Sequence, residues 1–169
     1  MSTALIALCE HNKWANTALL DFVDRLDASV LEATAIGCFG TIHHTLLHIA
    51  NSEADYFALL TSTKTEELKQ ENDHFPPVNK IAEFYSKFGD GLIQCARDIP
   101  GDRMLEGTFD DGVKYRFPAS GLFIQALNHA TEHRTQIAAI LTTMGIEPPN
   151  VDGWKFMDTV QMPEGAWER

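Results

Sequence analysis

Long stretches of helical periodicity are the feature that most restricts the fold of this chain. Apolar residues recur at about 100° per residue over four segments, which is typical of amphipathic helices. The predicted helices cover approximately residues 3–26, 42–60, 78–97 and 119–144, with Thr41 as the N-cap of the second. Four long amphipathic helices joined by short connections predict an all-α fold, an antiparallel four-helix bundle.

The segment between the third and fourth predicted helices has a different pattern. Residues 105–117 alternate in polarity and contain Asp110-Asp111-Gly112, which is typical of a short β-hairpin. The tail, residues 150–169, is expected to be irregular. The aromatic side chains expected to hold it onto the bundle are Trp154, Phe156 and Trp167. No internal repeat or linker divides the sequence, so residues 1–169 are expected to form a single domain.

Charge and composition exclude several classes of function. The chain has 13 Lys and Arg against 24 Asp and Glu, a net charge of −11. Because such a surface repels phosphate backbones and anionic lipids, we expect neither a nucleic-acid nor a membrane partner. No apolar run approaches the ~18–20 residues that span a bilayer, and the N-terminus does not resemble a signal peptide. Three widely spaced cysteines indicate reduced thiols, and together these features predict a cytoplasmic protein.

Two histidines lie at the centre of the apolar stripe of the last predicted helix. His129 and His133 are one turn apart, so their imidazoles point the same way and can share a metal ion. Two unpaired imidazoles would otherwise destabilise a bundle core. The second predicted helix contributes His44 and His48, also four residues apart, at the edge of its stripe. Spacing alone therefore indicates a metal site and leaves open which of these two joins it.

The same residues, HATEH at 129–133, match the H-x-x-E-H helix of inverted zinc peptidases. In that interpretation Glu132 is the general base and a zinc-bound water is the nucleophile. The pattern is short and weakly specific, and those peptidases are much larger α/β proteins. The helical periodicity of this chain therefore argues against it.

Three stretches resemble the DinB/YfiT superfamily, in the same order along the chain. They are HNKWAN in the first helix, GTIHHTLLHIANSEADYF in the second and LNHATEHRTQIAAILTTMGIEPP in the fourth. Members of this superfamily are four-helix bundles, commonly dimeric, that bind a divalent metal through three histidines. The resemblance implies that His48, His129 and His133 are the ligands of one metal ion and that the protein is a homodimer. Affinities for nitrogen ligands favour nickel, copper or zinc, and of these zinc or nickel is expected.

The resemblance also implies a set of residues around the metal. Glu53 matches a frequent acidic position and is expected to hold a ligand histidine in place. Arg134 and Gln136 match the motif His-Arg-x-Gln, and Arg134 is expected at the surface or in a dimer interface. The residues predicted to line the pocket or support the ligands are Glu53, His11, Asn12, His44, Arg134 and Gln136. His11 stands where many relatives carry an aromatic residue, so the lining is expected to differ here.

Three imidazoles that leave a fourth position open are typical of catalytic rather than structural zinc sites. Characterised relatives include thiol-dependent maleylpyruvate isomerases and bacillithiol S-transferases. The resemblance therefore implies a metal-dependent transferase that uses a low-molecular-weight thiol and acts on a small molecule. Two alternatives stay open: a metal-dependent hydrolase, and a metal- or small-ligand-binding bundle without turnover. The sequence assigns no catalytic residue.

Overall fold

The computed structural model describes residues 3–69, 75–108 and 112–160. Its helices are α1 (Thr3–Val23), α2 (Ala28–Leu31), α3 (Ile42–Thr61), α4 (Val78–Asp98), α5 (Ala119–Thr143) and α6 (Gly153–Thr159). Strands β1 (Met104–Thr108) and β2 (Lys114–Pro118) form an antiparallel pair, as the hairpin prediction requires. The predicted turn residues Asp110 and Asp111 lie outside the described residues. Helices α1, α3, α4 and α5 pack together, so the predicted all-α bundle is confirmed.

Neighbours in the bundle are not all consecutive helices. α1 packs beside α4 and α5, and α3 also packs beside α4 and α5, so α1 and α3 lie on a diagonal. The ion pairs of Glu10 with Arg97 and of Lys13 with Asp90 show that α1 and α4 run antiparallel. Two connections are longer than expected. The connection between α1 and α3 contains α2, and the chain that follows α3 runs back along that helix. Asn51 fixes this return by exchanging two hydrogen bonds with the backbone of Leu68.

Local signals set the ends of the helices next to the site. Thr41 caps α3 as predicted, since its hydroxyl accepts a hydrogen bond from the backbone N–H of His44. Gly145 ends α5 with φ +75°, a left-handed conformation that glycine adopts at little cost. None of the helices in the described part of the chain combines the length and the apolar character needed to cross a membrane.

The described part of the tail, residues 150–160, contains a short helix, contrary to expectation. Asp152 caps the short helix α6 by accepting a hydrogen bond from the N–H of Lys155. Phe156 is buried against His11 and Trp14, with ring centroids 5.4 and 5.5 Å away. Trp154 is exposed instead, and Trp167 lies outside the described residues. A local cap and one buried aromatic ring therefore order this segment against α1.

Glycines let α4 approach its neighbours closely. A Cβ at Gly91 would lie 2.6 Å from the ring of Phe57 on α3, and one at Gly89 would lie 2.7 Å from the side chain of Lys13 on α1. The low helix propensity of glycine is therefore offset by packing in the middle of α4.

A buried polar layer separates two apolar clusters in the bundle. One cluster surrounds Leu19 and Leu46, and the other surrounds Leu60 and Phe123. The polar side chains between them are Asn12, Asn16, Glu53 and Arg134, all at most 4% exposed. Buried polar groups require partners, so this layer constrains how α1, α3 and α5 pack.

Candidate metal centre

Three histidines meet where α3 packs against α5. His48 comes from α3, and His129 and His133 come from α5. Their candidate ligand atoms all lie within 4.8 Å of one another, and Nε2 of His48 is 2.9 Å from Nε2 of His129. The structure thus brings together the three residues that the sequence resemblance implied as ligands.

The donor set fits a divalent metal ion. Two nitrogens bound to one zinc ion at ~2.0–2.1 Å in a tetrahedral arrangement lie about 3.3–3.4 Å apart. The nitrogens of His48 and His129 come within 2.9 Å of each other, so a small rotation of either ring reaches that spacing. Among the described residues no fourth Cys, Asp, Glu or His belongs to the group. A metal ion held by these three imidazoles alone would therefore keep a coordination position open for an additional ligand.

Burial keeps the imidazoles of His48 and His129 in the neutral form that binds metals. The pKa of His129 is lowered from 6.5 to about 4, mainly because burial disfavours the imidazolium and also because His133 and His48 are close. The pKa of His48 is lowered by burial and by the proximity of His133. Metals bind neutral imidazole, so a low pKa reduces competition from protons near neutral pH.

Gln136 orients one of the candidate ligands. Its Oε1 accepts hydrogen bonds from Nδ1 of His133 and from the backbone N–H of Phe39, both at 3.0 Å. With the proton of a neutral His133 on Nδ1, the lone pair of Nε2 is available to a metal. Gln136 therefore performs the supporting role that the sequence analysis assigned to Glu53.

Two aromatic side chains form walls of the site. Phe39, in the loop before α3, stacks on His48 at a centroid distance of 4.1 Å and an interplanar angle of 17°. Tyr56 lies edge-on to His129 at 5.8 Å, and its hydroxyl accepts a hydrogen bond from Gln125. Sequence reasoning missed both as site residues. Tyr56, two turns after His48 on α3, could have been found from that spacing, whereas Phe39 carried no such signal.

Glu53 contacts the asparagines of α1 rather than a ligand histidine, and this corrects the expectation. It lies five residues after His48, about 140° around α3, and therefore faces α1. Its Oε1 accepts hydrogen bonds from the amides of Asn12 at 2.6 Å and Asn16 at 2.7 Å. Its Oε2 is buried without a hydrogen-bond partner in the described part of the chain. Burial raises the pKa of Glu53 to about 7, although Asn12, Arg134 and Asn16 oppose the rise.

The prediction that Arg134 lies at the surface or in a dimer interface is wrong. Arg134 is 4% exposed, and its Nη1 donates to the Oδ1 atoms of Asn12 at 2.7 Å and Asn16 at 2.6 Å. It follows His133 by one residue, about 100° around α5, so it faces α1 instead of α3. The two asparagine amides thus link the guanidinium to the carboxyl of Glu53. The sequence analysis did not predict Asn16 as a site residue.

Two other predicted pocket residues lie away from the three histidines. His44 is exposed at the start of α3, where its Nδ1 is 2.9 Å from the hydroxyl of Thr41 and its ring contacts Phe75. His11 donates from Nε2 to the carbonyl of Val151 at 2.9 Å and so helps to hold the tail. Among the described residues, α3 therefore supplies a single histidine to the cluster.

The fold and the cluster together define a class: four-helix bundles with a candidate metal site built from histidines of two neighbouring helices. The chain belongs to the DinB family, whose model matches residues 1–166. This match confirms the resemblance that the three sequence stretches indicated. No curated protein matches the chain significantly.

Proposed function

We propose that His48, His129 and His133 bind one divalent metal ion, zinc or nickel, and that the protein uses it to transfer a low-molecular-weight thiol to an electrophile. The observation that carries the proposal is the convergence of three imidazoles without a fourth ligand in the described part of the chain. Membership of the DinB family supports it further. A divalent ion bound there would lower the pKa of a thiol ligand and hold it as the thiolate.

The surrounding residues would organise this site. Gln136 holds His133 in the tautomer that leaves Nε2 free to act as a ligand. Phe39 and Tyr56 provide apolar walls beside His48 and His129, which reduce the access of water to the nucleophile. Phe39 is half exposed, so a small molecule would approach along its ring. In the transfer, the thiolate sulfur would form a bond to the electrophilic carbon as the leaving group departs.

Metal reloading tests the binding step. After removal of metal with a chelator and reloading with zinc or nickel, elemental analysis should give about one ion per chain. His48→Ala, His129→Ala and His133→Ala should each reduce the metal content strongly. His44→Ala is the matched control, because its imidazole lies outside the cluster and the metal content should stay unchanged. Wild-type metal content in the triple variant would contradict the proposal, and an equal loss in His44→Ala would indicate a closed four-histidine site.

A thiol-consumption assay tests the transfer step. The metal-loaded protein is incubated with a panel of low-molecular-weight thiols and a chromogenic electrophile. We expect metal-dependent loss of thiol above the uncatalysed rate, abolished in His48→Ala. Stoichiometric metal binding without turnover would instead support a binding protein. Turnover of an ester without added thiol would support a hydrolase that activates water.

A further inference from the structure

A cavity lies on the side of α5 that faces away from the three histidines. It has a volume of about 230 Å³ and opens between α1 and α5. Leu127, Thr131 and Arg134 line it from α5, at the spacing of three and four residues that marks one helix face. The mean direction of these three side chains is about 150° around the helix from that of His129 and His133, so the cavity does not belong to the candidate metal centre.

Arg134 gives this cavity a cationic wall. The cavity is lined by Arg134 and by neutral or imidazole side chains, with no carboxylate among the described lining residues, although the chain has a net charge of −11. Bulk water barely solvates the guanidinium, because Arg134 is 4% exposed. Its compensating group, Glu53, lies behind two asparagine amides and has a pKa raised to about 7 by burial. A buried cation that is compensated only in part favours an anionic ligand.

Apolar side chains form the outer part of the same cavity. Leu8 on α1 and Ile124 on α5 line it while remaining 53% and 62% exposed. Exposed apolar side chains beside a buried cation match a molecule that has an anionic end and an apolar body. An engineered cavity of about 150 Å³ holds benzene. The volume of about 230 Å³ therefore suits one ring or a short branched chain with a carboxylate attached.

We propose that this cavity binds a small monocarboxylate, with the carboxylate against Arg134 and the apolar body between Leu8 and Ile124. Asn12, Asn16 and Thr131 accept three of the five hydrogens of the guanidinium, so the remaining N–H groups, one on Nη2 and one on Nε, are the ones that can donate to a carboxylate. The hydroxyl of Thr131 accepts a hydrogen bond from Nη2 of Arg134 and donates one to the carbonyl of Leu127, so it holds the guanidinium in place. The site requires no metal and does not depend on the function proposed above.

Titration of the ¹⁵N-labelled full-length protein with benzoate tests this site by NMR. We expect a dissociation constant of about a millimolar, because a ligand with so few atoms makes few contacts. The shifts should be largest around Leu8, Thr131 and Arg134, and equal with and without metal. Benzyl alcohol, which keeps the ring and lacks the charge, should bind at least tenfold more weakly. Equal binding of the two would show that Arg134 takes no part and would overturn the proposal.

A variant at the rim of the cavity avoids breaking the buried network. Ile124→Trp places a larger ring in the opening and should weaken benzoate binding at least tenfold while leaving metal content unchanged. Ile36→Trp, at a fully exposed position outside the cavity, is the matched control and should bind benzoate as the wild type does. Unaltered binding in Ile124→Trp, or shifts confined to His48, His129 and His133, would refute the site. The proposal would also be overturned if the wild-type protein did not bind benzoate and Ile124→Trp dissociated a dimer. That result would assign this surface to contact with a second copy of the chain.

Discussion

Replacing Glu53 by Gln removes a buried acidic group and keeps its shape. The amide oxygen of Gln can still accept the hydrogen bonds that Oε1 of Glu53 receives from Asn12 and Asn16. In the wild type, burial raises the pKa of Glu53 from its ordinary value of 4.5 to about 7. The folded protein therefore holds this proton more tightly than the unfolded chain does, and the substitution abolishes that difference.

The sign of the effect follows from the direction of the pKa change. Because the folded pKa is raised, the stabilisation is fully present below pH 4.5 and is lost as the pH rises through about 7. A tenfold change in proton affinity is worth about 1.4 kcal/mol, so the rise corresponds to about 3 kcal/mol in total. Between about pH 5 and pH 8, the free energy of unfolding of Glu53→Gln should therefore increase by about 2–3 kcal/mol relative to the wild type.

Urea unfolding of both proteins, metal-free and at several pH values, measures this difference. The comparison with the wild type is necessary because His129 acts in the opposite sense. Its pKa is lowered to about 4, so its contribution is present above pH 6.5 and is lost as the pH falls through about 4. This contribution is common to both proteins and cancels. Glu132→Gln, at an exposed position on α5, is the matched control. A stability difference between Glu53→Gln and wild type that does not change with pH would refute the reasoning.

Three further outcomes are expected. Gln136→Ala should weaken metal affinity about 10- to 100-fold in a chelator competition, because His133 loses the group that orients it; an unchanged affinity would deny that role. Gly91→Ala should lower the free energy of unfolding by about 1–3 kcal/mol in urea, because its Cβ would meet the ring of Phe57. Gly121→Ala, where a Cβ meets only a contact at 3.9 Å, should be neutral or slightly stabilising, and equal losses in the two variants would argue against the close contact. The protein is expected to be a homodimer by light scattering at micromolar concentration; a monomer of 18.8 kDa would contradict this.

Features that depend on near neighbours in the chain could be predicted from the sequence. Periodicity located the four long helices, Thr41 marked the start of α3, and the alternating segment before α5 indicated a hairpin. The pair His129 and His133 could be predicted for the same reason, since a spacing of four residues along a helix places two side chains on one face. These features require no knowledge of how the helices are arranged.

The tertiary structure decided which helix face meets which neighbour. His48 joins the cluster and His44 does not, because only the former lies where α3 packs against α5. Glu53 and Arg134 are neighbours of the ligands in sequence, yet each is turned about 100–140° away from its histidine and meets α1 instead. Phe39 reaches the site through a loop that Gln136 holds. The sequence by itself determined the helices and the histidine pair, because helical spacing is local. The family resemblance implied His48 as the third ligand, but only the tertiary structure placed it in the cluster and decided the walls and the buried polar layer, because those depend on how the helices are rotated against one another.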